Sequence, residues 1–244
     1  FWHRKDLRLN DNTALNKSFS LSNAITGTYI FDKNYSHDFN ARSRAWFLSN
    51  SLEELSFNWK NLGSRLIIEE GDPLLLIPQL AQLIDAKFVV WNKAIEPYEI
   101  KRDLEIKNTL KKLKIEFIEL WDHLLIEPDQ IYTGSNKPYS VYGPFYKNLK
   151  SKIQFLNSHK SFKNISNLKD LEIGIKKKHK LDSSRLIFEK FKNNINFNGV
   201  DLCPCKPGEL AAVNLLDQFI CQDKLGSYES SRDFPSQNGT SFLS

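Results

Sequence analysis

Residues 1–125 alternate short β-rich apolar runs with longer stretches of helical period, and few folds accept that order. "AITGTYIF" (24–31) has strand composition. "ARSRAWFLSNSLEELSFNWKNLG" (41–63) follows, with Trp46, Phe47, Leu48, Leu52, Leu55, Phe57, Trp59 and Leu62 at mostly helical spacing and Gly63 to stop it. "RLIIEE" (65–70) is a strand again. "GDPLLLIPQLAQLID" (71–85) then supplies a turn, an Asp72 cap and Pro73 at the first helical position. "KFVVW" (87–91) is a strand, "PYEIKRDLEIKNTLKKL" (97–113) a helix with Ile100, Leu104, Leu110 and Leu113 on one face, and "IEFIEL" (115–120) a last strand. Strand and helix in this alternation predict an α/β, Rossmann-like, doubly wound parallel sheet with helices on both faces. If "FW" closes a first strand, the sheet has five parallel strands with that one near the centre and most of it missing, leaving a seam.

Beyond residue 125 the periodicity weakens and Asn, Ser and Lys dominate, which reads as an inter-domain connection over 126–200 with "YSVYGPFYKNLKSKI" as an aromatic helical anchor. At "PGELAAVNLLDQFI", Leu210, Val213, Leu216, Phe219 and Ile220 form a new apolar stripe, the expected first helix of a second, all-α domain over 201–244. With 41% hydrophobic residues the chain can fill one core and part of a second. Its apolar runs, such as 74–77 and 88–91, are far below the roughly 20 residues of a membrane span. No secretory signal opens it, and without Met the chain reads as cut at both ends. Cys203, Cys205 and Cys221 lack the paired spacing of a metal site and read as reduced cytosolic thiols. The net charge of +5, partly from "KKKHK" (176–180), permits an anionic partner without requiring one.

Two places carry candidate chemistry. In "FWHRKDLRLNDNTAL" a strand empties into a charged loop and "DN" caps a helix, at the carboxyl edge where α/β sheets bind ligands. Arg4, Asp6, Arg8 and Asp11 there read first as a local ion-pair cluster, and no glycine-rich fingerprint points to a dinucleotide. In "GTSFLS" (239–244), Gly239 and the hydroxyls of Thr240, Ser241 and Ser244 suit a pyrophosphate, or equally a capped surface turn. Tyr228 and Arg232 fall four apart, on one face if the segment is helical. The five tryptophans, Trp2, Trp46, Trp59, Trp91 and Trp121, read as core or interface packing.

"WHRKDLRLNDNTAL", "GDP", "WNKAIEPYEIKRD", "LWDHLL", "PYSVYGPFYKNL" and "GSYESSRDFPSQNGTSFLS" occur in that order, and the set resembles the DNA photolyase and cryptochrome family, the cyanobacterial cyclobutane-dimer photolyases above all. The resemblance implies a light-driven flavoenzyme acting on UV-damaged DNA, a lyase that splits pyrimidine dimers with an electron from reduced FAD; a blue-light cryptochrome is the alternative. It implies an antenna-binding α/β domain over 1–125 and the start of a helical FAD domain over 201–244, in a cytoplasmic monomer. Tyr228 and the run Thr240, Ser241, Phe242, Leu243 and Ser244 match the family's first FAD contacts, and Arg232 its DNA-phosphate arginine. Arg44, Glu96 and Glu99 match the surroundings of an antenna pigment, 8-hydroxy-deazaflavin in preference to methenyltetrahydrofolate. Ala94 departs from the pattern, since deazaflavin-type relatives can carry an acid before "IEP". No catalytic residue is expected before Ser244, and the chain alone is expected to be inactive and poorly folded.

Overall fold

The computed structural model describes residues 1–32, 42–124, 126, 127, 130–155, 205–221 and 224–234. Along the chain run β1 (Trp2–His3), α1 (Thr13–Leu21), β2 (Gly27–Asp32), α2 (Arg42–Asn61), β3 (Leu66–Gly71), α3 (Pro73–Leu83), β4 (Phe88–Asn92), α4 (Pro97–Lys112) and β5 (Glu116–Leu120). Three further helices follow, α5 (Tyr142–Phe155), α6 (Glu209–Cys221) and α7 (Tyr228–Ser231).

All strand pairs are parallel. β2 lies between β1 and β3, with Trp2 opposite Thr28 and Tyr29 opposite Ile68, and β4 pairs with β5, Val90 opposite Ile118. Neighbouring strand residues serve opposite cores, as a strand buried on both faces requires. Ile30 and Ile67 join Trp2, Val89 and Trp91 beneath Ile77 and Leu80 of α3 and Ile106 and Leu110 of α4. Phe31, Leu66 and Ile68 face the other way, onto Leu15 of α1 and Leu52, Leu55 and Trp59 of α2. The doubly wound expectation therefore holds.

The sheet divides where β1 meets β4. β1 contributes two residues and forms no ladder with β4, so three strands and two strands stand side by side. The contact across the seam is between side chains, with the Trp2 and Trp91 rings 6.0 Å apart edge to face. At the amino edge of the seam a cleft of about 370 Å³ runs between Phe1, Ile25, Thr26, Phe88 and Val90. The Phe1 nitrogen donates to the Thr26 carbonyl at 2.8 Å.

The helix starts follow the sequence chemistry. Asn12 accepts from the Leu15 amide and Asp72 from the Leu74 amide, with Pro73 next in line. Two sequence expectations need correction. In α4, Ile106 and Leu110 are buried but Ile100 and Leu104 are half exposed, because the first turns of α4 turn Glu99, Arg102 and Asp103 inward instead. In α5 the aromatic anchor is reversed: Tyr142 is 73% and Tyr146 47% exposed, and their rings stack on each other at 5.8 Å. Among the described residues no helix is long and apolar enough to cross a membrane, and no cluster could hold a metal ion.

Candidate functional site at the carboxyl edge

The carboxyl ends of β1, β2 and β4 converge on a buried polar knot. Asp6, three residues past the end of β1, accepts from the Arg4 amide at 2.8 Å with Oδ1, and from Asn92 at 2.6 Å and Asn12 at 3.0 Å with Oδ2. Asn92 closes β4 and uses its own oxygen for the Ala14 amide of α1, at 3.1 Å. Every polar atom of this trio has a partner, which allows it to be buried. His3 is likewise satisfied. The Trp59 indole can only donate, so Nε2 of His3 accepts at 3.0 Å and Nδ1–H donates to the Asp6 carbonyl at 3.0 Å. Burial holds the imidazole down at about 4, hence neutral.

The arginines of the opening loop find distant carboxylates rather than each other. Arg4 meets Asp103 at 2.6 Å, and Arg8 meets Asp122 at 2.6 Å. Arg8 reaches Asp11 only at its backbone carbonyl, so the local ion-pair cluster expected from sequence is replaced by ties from the loop to α4 and to the residues after β5. Arg102 completes the group, 2.9 Å from Asp103 and 3.6 Å from Asp32 at the end of β2. The Arg102 guanidinium also lies 4.8 Å over the Trp2 ring.

Two of the three pigment candidates come together. Glu96 is the N-cap of α4 but makes no capping bond; its carboxylate takes a hydrogen bond from Lys5. Glu99, one turn on and buried, lies 3.3 Å from the same ammonium. Burial pushes Glu99 up, while its hydrogen bond to Glu99 and then that from Lys5 hold Glu96 down, so the pair shares its charge unequally. The small cleft beneath them, lined by Arg4, Asp6, Asn92, Ala94 and His123 among others, measures about 10 Å³, room for one water at most. A larger ligand can meet this edge only from its open side, through the half-exposed Lys5 and Glu96. Arg44 is exposed in the first turn of α2, a helix packed on the other face of the sheet from α4. Lys5, Asp32, Asn92 and Arg102 were not singled out from sequence. Their signal was positional: each follows or closes a strand, or belongs to the first turns of the helix after β4.

In the C-terminal part, the Arg232 amide donates to the Tyr228 carbonyl at 2.9 Å, so the two residues do share a helical turn. The Tyr228 ring packs edge-on against Phe219 at 6.1 Å. Arg232 is exposed, with Asp233 at 3.8 Å. Thr240, Ser241, Phe242, Leu243 and Ser244 lie outside the described residues.

Comparison with known proteins gives photolyases, with cryptochromes beside them. The family model described as DNA photolyase matches residues 1–164. A deoxyribodipyrimidine photo-lyase of Synechococcus sp. is 36% identical over 100% of this chain and 49% of its own length. One from Agrobacterium fabrum is 31% identical over 100% of this chain and 48% of its own. The crystal structure of a bacterial class III photolyase from Agrobacterium tumefaciens superposes with a TM-score of 0.74 at 28% identity, covering 100% of this chain and 48% of that one. The chain thus spans about half the length of these relatives.

Proposed function

Given that this chain belongs to the DNA photolyase family, we propose that it is the antenna-binding part, with the first helices of the flavin-binding part, of a deoxyribodipyrimidine photo-lyase. The observation that carries this reading is the 36% identity to a photo-lyase along the whole chain, which takes in both the carboxyl-edge motifs and the Tyr228–Ser244 motif. On this reading residues 1–125 form the pigment-binding unit, 126–200 the connection and 201–244 the beginning of the helical unit. When bound, reduced FAD supplies the light-driven electron that splits the dimer.

The residues of this chain have binding tasks in that scheme. Tyr228 and residues 240–244 would hold the flavin, the hydroxyls and backbone amides of Thr240 and Ser241 serving its phosphates. Arg232, exposed and with Asp233 at 3.8 Å, would take a phosphate of UV-damaged DNA. At the sheet edge, the carboxyl groups of Glu96 and Glu99 and the Lys5 ammonium offer acceptors and a donor side by side, a set suited to a pigment with both hydroxyl and carbonyl groups. That mixed set favours 8-hydroxy-deazaflavin over methenyltetrahydrofolate, and Arg44 would meet an anionic tail. The protein would act in the cytoplasm as a monomer.

The test is binding in the dark. Protein purified from its native host should show flavin absorbance and retain UV-irradiated duplex in preference to the unirradiated duplex. Absence of both flavin and lesion preference would refute the reading.

A further inference from the structure

Helix α6 is placed on the α/β unit without a hydrophobic seat. None of its 13 residues is buried, and Leu210, Val213, Leu216 and Ile220 are each about half exposed or more. Against the other described residues, apolar packing therefore does little to set where the helix starts or which way it runs. Two carboxylates hold it instead. Glu209, in its first turn, reaches back to the loop after β1, where Oε2 accepts from the Leu9 amide at 2.9 Å and Oε1 from the Asn10 amide and the Asn10 side chain, both at 2.8 Å. Glu54, on α2, reaches the other way and accepts from the Leu210 amide at 3.0 Å. Each side supplies one carboxylate and receives the other, and the bonds are charge-assisted.

The backbone is built for this exchange. Gly208 has φ +101°, a conformation L side chains rarely adopt, and a Cβ there would stand 1.9 Å from Glu54 Oε2. The receiving loop is itself immobilised: Arg8 is tied to Asp122, Asp122 also accepts from the Thr13 amide at 2.8 Å, and Asn12 belongs to the buried knot. At its far end α6 carries Phe219, against which Tyr228 packs, and the Leu225 amide donates to the Phe219 carbonyl at 3.2 Å.

We infer that Glu209 and Glu54 form a reciprocal carboxylate latch that positions α6, and through it Tyr228, relative to the Lys5–Glu96–Glu99 edge of the sheet. The latch itself is independent of the photo-lyase reading. Its consequence rests on that reading: fastening the first turn of α6 to the sheet edge sets the separation between pigment edge and flavin site, on which energy transfer between them depends.

Paired spin labels test the latch. One goes on Cys221, which is exposed, and one on Lys17→Cys of α1, with Cys203 and Cys205 replaced by serine. A single narrow distance is expected with Glu209 and Glu54 intact, and a broad distribution after Glu209→Ala with Glu54→Ala. An unchanged distribution in the double variant overturns the inference. Should the variants unfold, amide exchange in the unaltered chain decides: slowed exchange at Leu9 and Asn10 supports the latch, and unprotected exchange at both overturns it. Neither readout involves flavin or light, so broadening in a protein that bound no flavin would keep the latch and sink only the photo-lyase reading. In protein loaded with flavin and pigment, Glu209→Ala should lower activity in the pigment band while the flavin band is kept. An equal fall in both bands, or in neither, overturns the positioning consequence.

Discussion

Acidification should weaken this fold through His3 in a way that a single substitution isolates. The ring is fully buried, and its one unprotonated nitrogen already accepts from the Trp59 indole at 3.0 Å. A second proton must go to that nitrogen, breaking the bond and placing a charge in the core, which is why the folded group titrates at about 4 against an ordinary 6.5. The sign follows from linkage. A depressed folded value means the unfolded chain binds the proton first as pH falls through 6.5, so the stabilisation is complete above that value and is lost on the way down to about 4. At about 1.4 kcal/mol per pH unit, the interval amounts to about 3 kcal/mol, a large part of the roughly 5–15 kcal/mol of a typical domain. Urea unfolding followed by tryptophan fluorescence at pH 7 and pH 4, for the parent and for His3→Asn, reads it directly. Other titrating groups cancel in the difference between the two proteins, which should shrink by about 3 kcal/mol from pH 7 to pH 4. A difference that does not change with pH would refute the buried neutral imidazole.

Gly27→Ala should cost about 1–3 kcal/mol, because the new Cβ would stand 2.6 Å from Trp59 Cε2 and 2.7 Å from its Nε1; thermal unfolding within error of the parent would contradict the close approach. Asn92→Ala should cost about 1–3 kcal/mol for each group it strands, the Ala14 amide losing its acceptor and Asp6 its 2.6 Å donor. A fall in urea midpoint at unchanged slope is the expected signature. Arg232→Ala should weaken binding to irradiated DNA and lower the salt slope by about one while flavin content stays constant. Flavin loss with unchanged DNA affinity would move Arg232 to the cofactor site.

The sheet and its helices were legible because both faces of β2 and β3 are covered, so that apolar composition and helical period announced them without knowledge of tertiary partners. Caps at Asn12 and Asp72 were legible for the same reason: the partner is two or three residues away. The ties that fasten the candidate site were not. Arg4 to Asp103, Arg8 to Asp122 and Leu9 to Glu209 join residues about 100 to 200 positions apart, and only the parallel register and the loop path bring them together. Local charge alternation pointed instead to neighbours, and that expectation failed. Glu96 and Glu99 were singled out by the family resemblance and not by local pattern, whereas Lys5, which joins them from the end of another strand, gave no sign of either kind. In α5 the aromatic spacing was read correctly as helical but its direction was not, since period fixes a face and not what covers it.

Light-dependent repair separates a photo-lyase from a photoreceptor. The protein from its native host, reduced and mixed with an oligonucleotide carrying one cyclobutane dimer, is illuminated across the near-ultraviolet and blue while intact dimer is counted. Dimer loss is expected only in the light, with an action spectrum holding a flavin band and a second band from the antenna pigment. Bound flavin that responds to light without any loss of dimer would contradict the repair assignment and favour a photoreceptor.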